Sequence, residues 1–227
     1  MLDAVMSPLE RIEQLRVVPA LVLDDAASAV PLAAAMVKGG LPCAEVTLRT
    51  EASMEALRRM SKVGGLLAGA GTVTSIPQLE EALAAGAQFI VTPGLDETLV
   101  KHCKDAGVPI IPGAVTPTEI MRAQNLGLRL VKFFPCEAFG GLPMIEALAG
   151  PFPEMRFMPT GGINPTNMGR FLSHRSVVAC GGTWMARREW IRSGDWDHVE
   201  AACRETMTLL AKPGQGGGAA GGFRKGG

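Results

Sequence analysis

Four glycines, Gly65, Gly86, Gly107 and Gly127, recur at spacings of 21, 21 and 20 residues, and Gly150 follows after a longer interval. Each closes a helical pattern. After Gly86, Gly107 and Gly127 come apolar runs at residues 89–92, 109–113 and 130–134. A glycine in that place supplies the left-handed residue past a helix C-terminus. A repeat of this length holds one helix and one strand, which is a compact βα unit, and strands alternating with helices form a parallel sheet. Before the repeat, Ser7-Pro8-Leu9-Glu10 predicts a helix with a Ser cap, Pro in its first turn and an end near Leu15. A strand over 16–23 follows, then an Ala-rich helix capped by Asp24 or Asp25 and ended by Gly39-Gly40. Strands over 43–49 and 66–71 flank a helix over 52–62. Strands over 156–159 and 177–180 complete the set, with a helix starting at Asn164 between them and helical segments after Arg187. The count is eight, which predicts a closed (β/α)8 TIM barrel of class α/β with an extra N-terminal helix. An open doubly wound sheet is the alternative, but its G-x-G-x-x-G turn is incomplete here: Gly69-Ala70-Gly71 is followed by Thr74 where the third glycine belongs.

Composition narrows the class. The 227 residues suit a single domain, assigned to 1–212, and a Gly-rich tail over 213–227 that cannot bury apolar surface and is expected to be flexible and disordered. Lys plus Arg equals Asp plus Glu at 22 each, and Tyr is absent, so no basic field or base-stacking surface points to nucleic acid. No membrane-spanning run and no signal peptide are read. Five widely spaced cysteines, with no C-x-x-C, fit reduced thiols in a cytoplasmic protein. The histidines, His102, His174 and His198, fall on or beside helices, away from strand tips, so no metal site and no cofactor are expected.

In a barrel the chemistry sits at the C-terminal ends of the strands. The run Leu130-Val131-Lys132-Phe133-Phe134-Pro135 holds one lysine in an apolar strand. A lysine on an outer face would snorkel to water. A lysine in a pocket would have its charged form disfavoured by burial and become a nucleophile for ketones. On the second strand, Glu45, Thr47 and Arg49 alternate with Val46 and Leu48 and so share a face. That face either looks into the barrel mouth or carries a surface Glu–Arg pair. The third strand ends at Thr72 and the fourth at Thr92-Pro93-Gly94. Glycine pairs follow the seventh and eighth strands, at Thr160-Gly161-Gly162 and Gly181-Gly182-Thr183, where bare backbone N–H groups in this architecture face phosphate. Together the parts suit a 2-oxo acid: an amine to form an imine, an arginine for its carboxylate, a glutamate to move protons and glycine loops for a remote phosphate. Arg49 would also help keep Lys132 neutral, because a like charge disfavours the ammonium.

These residues, with Glu45-Val46-Thr47-Leu48-Arg49-Thr50, Gly69-Ala70-Gly71-Thr72-Val73, Pro112-Gly113 and Pro159-Thr160-Gly161-Gly162-Ile163, resemble the 2-keto-3-deoxy-6-phosphogluconate (KDPG) aldolases, also called KHG/KDPG aldolases. The match runs in order from about residue 10 to 210 and leaves out the tail. The resemblance implies a metal-free class I lyase of the Entner–Doudoroff pathway, usually a homotrimer. Its substrate would be a phosphorylated 2-keto-3-deoxy sugar acid, cleaved to pyruvate and glyceraldehyde 3-phosphate, with 4-hydroxy-2-oxoglutarate as a second substrate. It carries over Lys132 as the Schiff-base lysine and Glu45 as general acid/base. Arg49 and Thr72 would hold the pyruvate carboxylate, and Pro93 and Phe134 would shape the pocket. Gly161, Gly162, Gly181, Gly182 and Thr183 would hold the phosphate, and Thr160 would join them in binding substrate. Two positions depart from the family pattern: Thr183 stands where Ser is common, and Phe139 where a small residue is common. The galactonate epimer as substrate, and a phosphosugar epimerase or binding protein on the same barrel, are the alternatives.

Overall fold

The computed structural model describes residues 6–211. The Gly-rich tail and the boundary after residue 212 lie outside them. Eight strands and ten α-helices alternate among the described residues: α1 (Pro8–Leu15), β1 (Val17–Leu21), α2 (Ala29–Lys38), β2 (Cys43–Thr47), α3 (Ser53–Met60), β3 (Leu67–Gly71), α4 (Ile76–Ala84), β4 (Ile90–Val91), α5 (Glu97–Asp105), β5 (Ile110–Ile111), α6 (Pro117–Asn125), β6 (Leu130–Phe133), α7 (Gly141–Ala149), β7 (Arg156–Pro159), α8 (Met168–Leu172), β8 (Cys180–Gly182), α9 (Arg188–Ser193) and α10 (Trp196–Ala211). Six strands pair in the order β5-β4-β3-β2-β1-β8, and β6 pairs with β7. Isolated parallel bridges join the two groups at Gly113–Lys132, Phe157–Val177 and Thr160–Gly181. Every pairing is parallel, which gives a TIM-barrel-like α/β fold.

The repeat has the physical cause expected of it. Gly65, Gly86, Gly107 and Gly127 all take left-handed φ, between +68° and +92°. Gly150 does not: its φ is −60°, so it needs no glycine for that reason. Ser7 starts α1 in a reciprocal cap with Glu10. Thr116 and Glu119 cap α6 in the same way, and Pro117 opens that helix.

Four expectations are corrected. Arg16 is not in β1; it closes α1 with φ +63° and donates its N–H to the Ile12 carbonyl. Leu48 and Arg49 lie past β2, because the chain turns there with Arg49 N bonded to the Thr47 carbonyl. The helix expected from Asn164 starts at Met168, since the Asn164 carboxamide accepts from Thr166 and Asn167 and holds an intervening turn. The eighth strand is Cys180–Gly182, not 177–180: its register with β1 pairs Val17, Val18 and Pro19 with Cys180, Gly181 and Gly182.

Apolar side chains form two layers. Val46, Ile90, Val131 and Phe157 face outward and pack with helix residues such as Leu32, Leu57, Leu79 and Phe171. Val18, Cys43, Leu67, Phe89, Val91, Ile111, Leu130 and Met158 face inward. Ile12 of α1 is fully buried in this inner cluster, with Leu9 and Leu15 against it. Arg11 donates to the Gly65 carbonyl just before β3, so α1 closes the N-terminal end of the strands. The inner space near their C-terminal ends is left to polar residues.

Candidate active site

Alternation along β2 puts Cys43, Glu45 and Thr47 on one face, and Cys43 belongs to the inner layer. Glu45 and Lys132 therefore both point inward, from β2 and β6. Lys132 Nζ lies 3.0 Å from Glu45 Oε1 and 3.5 Å from Oε2. Glu45 is fully buried and Lys132 is 4% exposed. Burying two charges is costly unless they pair closely, and these do. The Lys132 amine thus has a proton acceptor within hydrogen-bond reach. The Lys132 backbone is fixed on both sides, donating to the Pro112 carbonyl and accepting from Ala114 N. Nζ sits 5.2 Å from the centre of the half-buried Phe134 ring, within cation–π range.

Two further groups of expected residues assemble at the same ends of the strands. Arg49 Nε donates to Thr72 Oγ1 at 3.2 Å. Thr72 has φ +60°, a strained value for a β-branched residue. Past β4, the Pro93 carbonyl meets Gly113 so closely that a Cβ on Gly113 would lie 2.1 Å from it. On the other side, Thr160 is buried and Gly161 and Gly162 follow it, both with left-handed φ. Gly181 and Gly182 are not a turn past β8, as expected, but part of that strand. Packing accounts for their lack of side chains: a Cβ on Gly181 would lie 2.3 Å from Thr160 Oγ1, and one on Gly182 would lie 1.8 Å from the Trp184 ring. Thr183 is exposed at the tip. Asn164, Thr183, Arg187 and Arg188 border a cleft of about 530 Å³ at the ends of β7, β8 and β1. Phe139, the other departure, is 47% exposed at the surface.

Sequence reasoning gave Thr47 no separate role. Its hydroxyl donates to the Leu21 carbonyl at 2.6 Å, so its place on the polar face is structural. It also missed the cluster formed by Asp24 with Arg188 and Arg192. The opposite-sign pairs Asp24-Asp25 and Arg187-Arg188 were the available signal. The five cysteines are buried free thiols. Burial pushes Cys43, Cys136 and Cys203 up to about 12, which leaves them protonated and poor nucleophiles. Among the described residues, no three His, Cys, Asp or Glu side chains are placed to hold a metal ion.

A family model described as KDPG and KHG aldolase matches residues 9–202. The chain belongs to that family. It is 45% identical over 202 residues to 2-dehydro-3-deoxy-phosphogluconate aldolase of Treponema pallidum, covering 88% of this chain and 96% of that one. It is also similar to two solved aldolases. The KDPG aldolase of Zymomonas mobilis, with 3-phosphoglycerate, is 38% identical with TM-score 0.83, over 88% of this chain and 95% of that one. The KDPG aldolase of Legionella pneumophila, with pyruvate captured as a covalent carbinolamine, is 35% identical with TM-score 0.85, over 88% of this chain and 98% of that one.

Proposed function

We propose that this aldolase cleaves KDPG to pyruvate and glyceraldehyde 3-phosphate by Schiff-base chemistry on Lys132. The observation that carries the reading is the buried Lys132–Glu45 contact at 3.0 Å, set where the strands end. Lys132 passes a proton to Glu45 and attacks the C2 ketone. Glu45 returns the proton as water leaves, giving a protonated imine. Through a water, Glu45 then takes the C4 hydroxyl proton. The C3–C4 bond breaks, its electron pair flows into the imine, and glyceraldehyde 3-phosphate departs. The resulting enamine is protonated at C3, and water hydrolyses the imine to release pyruvate and free Lys132. Arg49 and Thr72 hold the carboxylate, Phe134 and Pro93 flank the pyruvyl portion, and Thr160, Gly161, Gly162, Gly181, Gly182 and Thr183 line the phosphate end.

The finer architectural reading is a closed (β/α)8 barrel made by one domain within residues 1–212, with α1 as an addition ahead of it. The bridges at Gly113–Lys132 and Thr160–Gly181 support closure. We also take the protein to be a cytoplasmic homotrimer that accepts 4-hydroxy-2-oxoglutarate as a second substrate, on the strength of the family. Five free thiols suit a reducing compartment. Among the described residues no helix is long and apolar enough to cross a membrane.

Borohydride reduction in the presence of pyruvate, followed by peptide mapping, tests the proposal. A pyruvate-derived mass on Lys132, insensitive to EDTA and missing in Lys132→Ala, is the expected result. Adducts scattered over surface lysines, or none, would overturn it.

A further inference from the structure

The cleft at the ends of β7, β8 and β1 holds cationic groups that the glycine loops do not explain. Arg187 and Arg188 both line it, beside Asn164 and Thr183, with Glu189 as the one acid in its wall. The two arginines differ in their commitments. Arg188 grips Asp24 through both Nε and Nη2, and Arg192, one turn along α9, grips the same carboxylate. Its fork is already used. Arg187 has only a loose contact, 3.8 Å from Glu189, with both side chains more than half exposed. A pair that open to solvent contributes little. The Arg187 guanidinium also lies 5.1 Å from the Trp190 ring centre, which gives the side chain a face to rest on without occupying its N–H groups. Trp190 in turn stacks on His198, with centroids 5.5 Å apart.

We infer that Arg187 is a specificity residue for the phosphorylated half of the substrate. It would donate two N–H bonds to the phosphate in this cleft and so select phosphorylated over unphosphorylated 2-keto-3-deoxy acids. The inference rests on the aldolase reading above. Strands β6, β7 and β8 are neighbours, so the tips of β6 and β8 stand about 10 Å apart, a span an extended phosphosugar acid can bridge from Lys132. A planar guanidinium matches a phosphate through two parallel bonds, which a lysine cannot. The backbone N–H groups around Gly161 and Gly162 add no net charge. Arg187 is the cation of the cleft whose fork remains free to neutralise a dianion, and Glu189 works against it.

The test compares two reactions. One is KDPG cleavage; the other is proton exchange at C3 of pyruvate, which needs Lys132 and Glu45 but no phosphate. In Arg187→Ala, KM for KDPG should rise about 10- to 100-fold, the range for losing hydrogen bonds to a charged group. Exchange into pyruvate should keep its rate. Arg187→Lys should recover part of the loss. Glu189→Gln should lower KM, and Arg192→Ala, which removes a guanidinium outside the cleft lining, should leave it unchanged. An unchanged KM in Arg187→Ala would overturn the inference. So would a parallel fall in both reactions, or an equal rise in KM with Arg192→Ala. If the parent enzyme shows no exchange, the aldolase reading itself fails and takes this inference with it.

Discussion

Gly71 lies directly against the Glu45 carboxylate: a Cβ added to it would stand 2.2 Å from Glu45 Oε1 and 2.5 Å from Cγ. Gly71 does not have a positive φ, so alanine suits its backbone and the conflict is purely steric. The missing side chain on β3 is what lets the carboxylate from β2 reach Lys132 on β6.

Gly71→Ala should therefore push Glu45 away from Lys132 without unfolding the protein. General acid–base catalysis contributes about 100- to 10,000-fold, and kcat should fall within that range. Circular dichroism should match the parent. A variant with parental kcat would show that Glu45 has room to move and still act.

Removing one partner of the buried pair should cost more than removing both. Lys132→Met leaves Glu45, fully buried, without its cation, which is worth about 3–5 kcal/mol of stability. The double change Lys132→Met with Glu45→Leu exchanges the ion pair for apolar volume and should recover most of that loss. Urea unfolding of the four proteins in the cycle measures the coupling. Equal destabilisation by the single and double variants would mean the pair is not a unit.

Much of this was readable from the chain. The glycine period marks real left-handed helix ends, because that conformation demands glycine wherever the βα unit repeats. The apolar runs put Glu45 in β2 and Lys132 in β6, while alternation alone left open which face of each strand looks inward. Gly71 was legible as part of a motif but not in its role, because the contact depends on how β2, β3 and β6 are placed around one interior. Gly181 and Gly182 misled for a related reason. A glycine pair reads as a turn, whereas here it makes room for Thr160 and Trp184 inside a strand. Asp24 and Arg188 are 164 positions apart, and nothing local links them.

Thr72 combines a hydrogen bond from Arg49 with backbone strain. A β-branched residue at φ +60° costs about 1–3 kcal/mol. Glycine relieves that strain but adds about 0.5–1 kcal/mol of unfolded-state entropy. Thr72→Gly should thus be at least as stable as the parent, by up to about 2.5 kcal/mol. It also takes the hydroxyl from Arg49, so kcat/KM should fall, whereas Thr72→Ser should keep most of the activity. Urea unfolding alongside steady-state kinetics tests both. A Thr72→Gly protein markedly less stable than the parent would show that the threonine side chain contributes more than its strain costs.

The Asp24 cluster should give acid stability a definite shape. Hydrogen bonds from Arg188, and then from Arg192, hold the Asp24 carboxyl well below its ordinary value of 3.8. A group whose folded value is depressed binds its proton more readily when the chain is unfolded. Its contribution is therefore complete above about pH 4 and declines as pH falls toward the folded value. The melting temperature of the parent should exceed that of Asp24→Asn by a constant margin near neutrality. Below about pH 4 the margin should shrink. Because the arginines are about half exposed, added salt should narrow it at every pH. A margin that stays flat through the acid range would show that Asp24 supports α9 through its shape and not its charge.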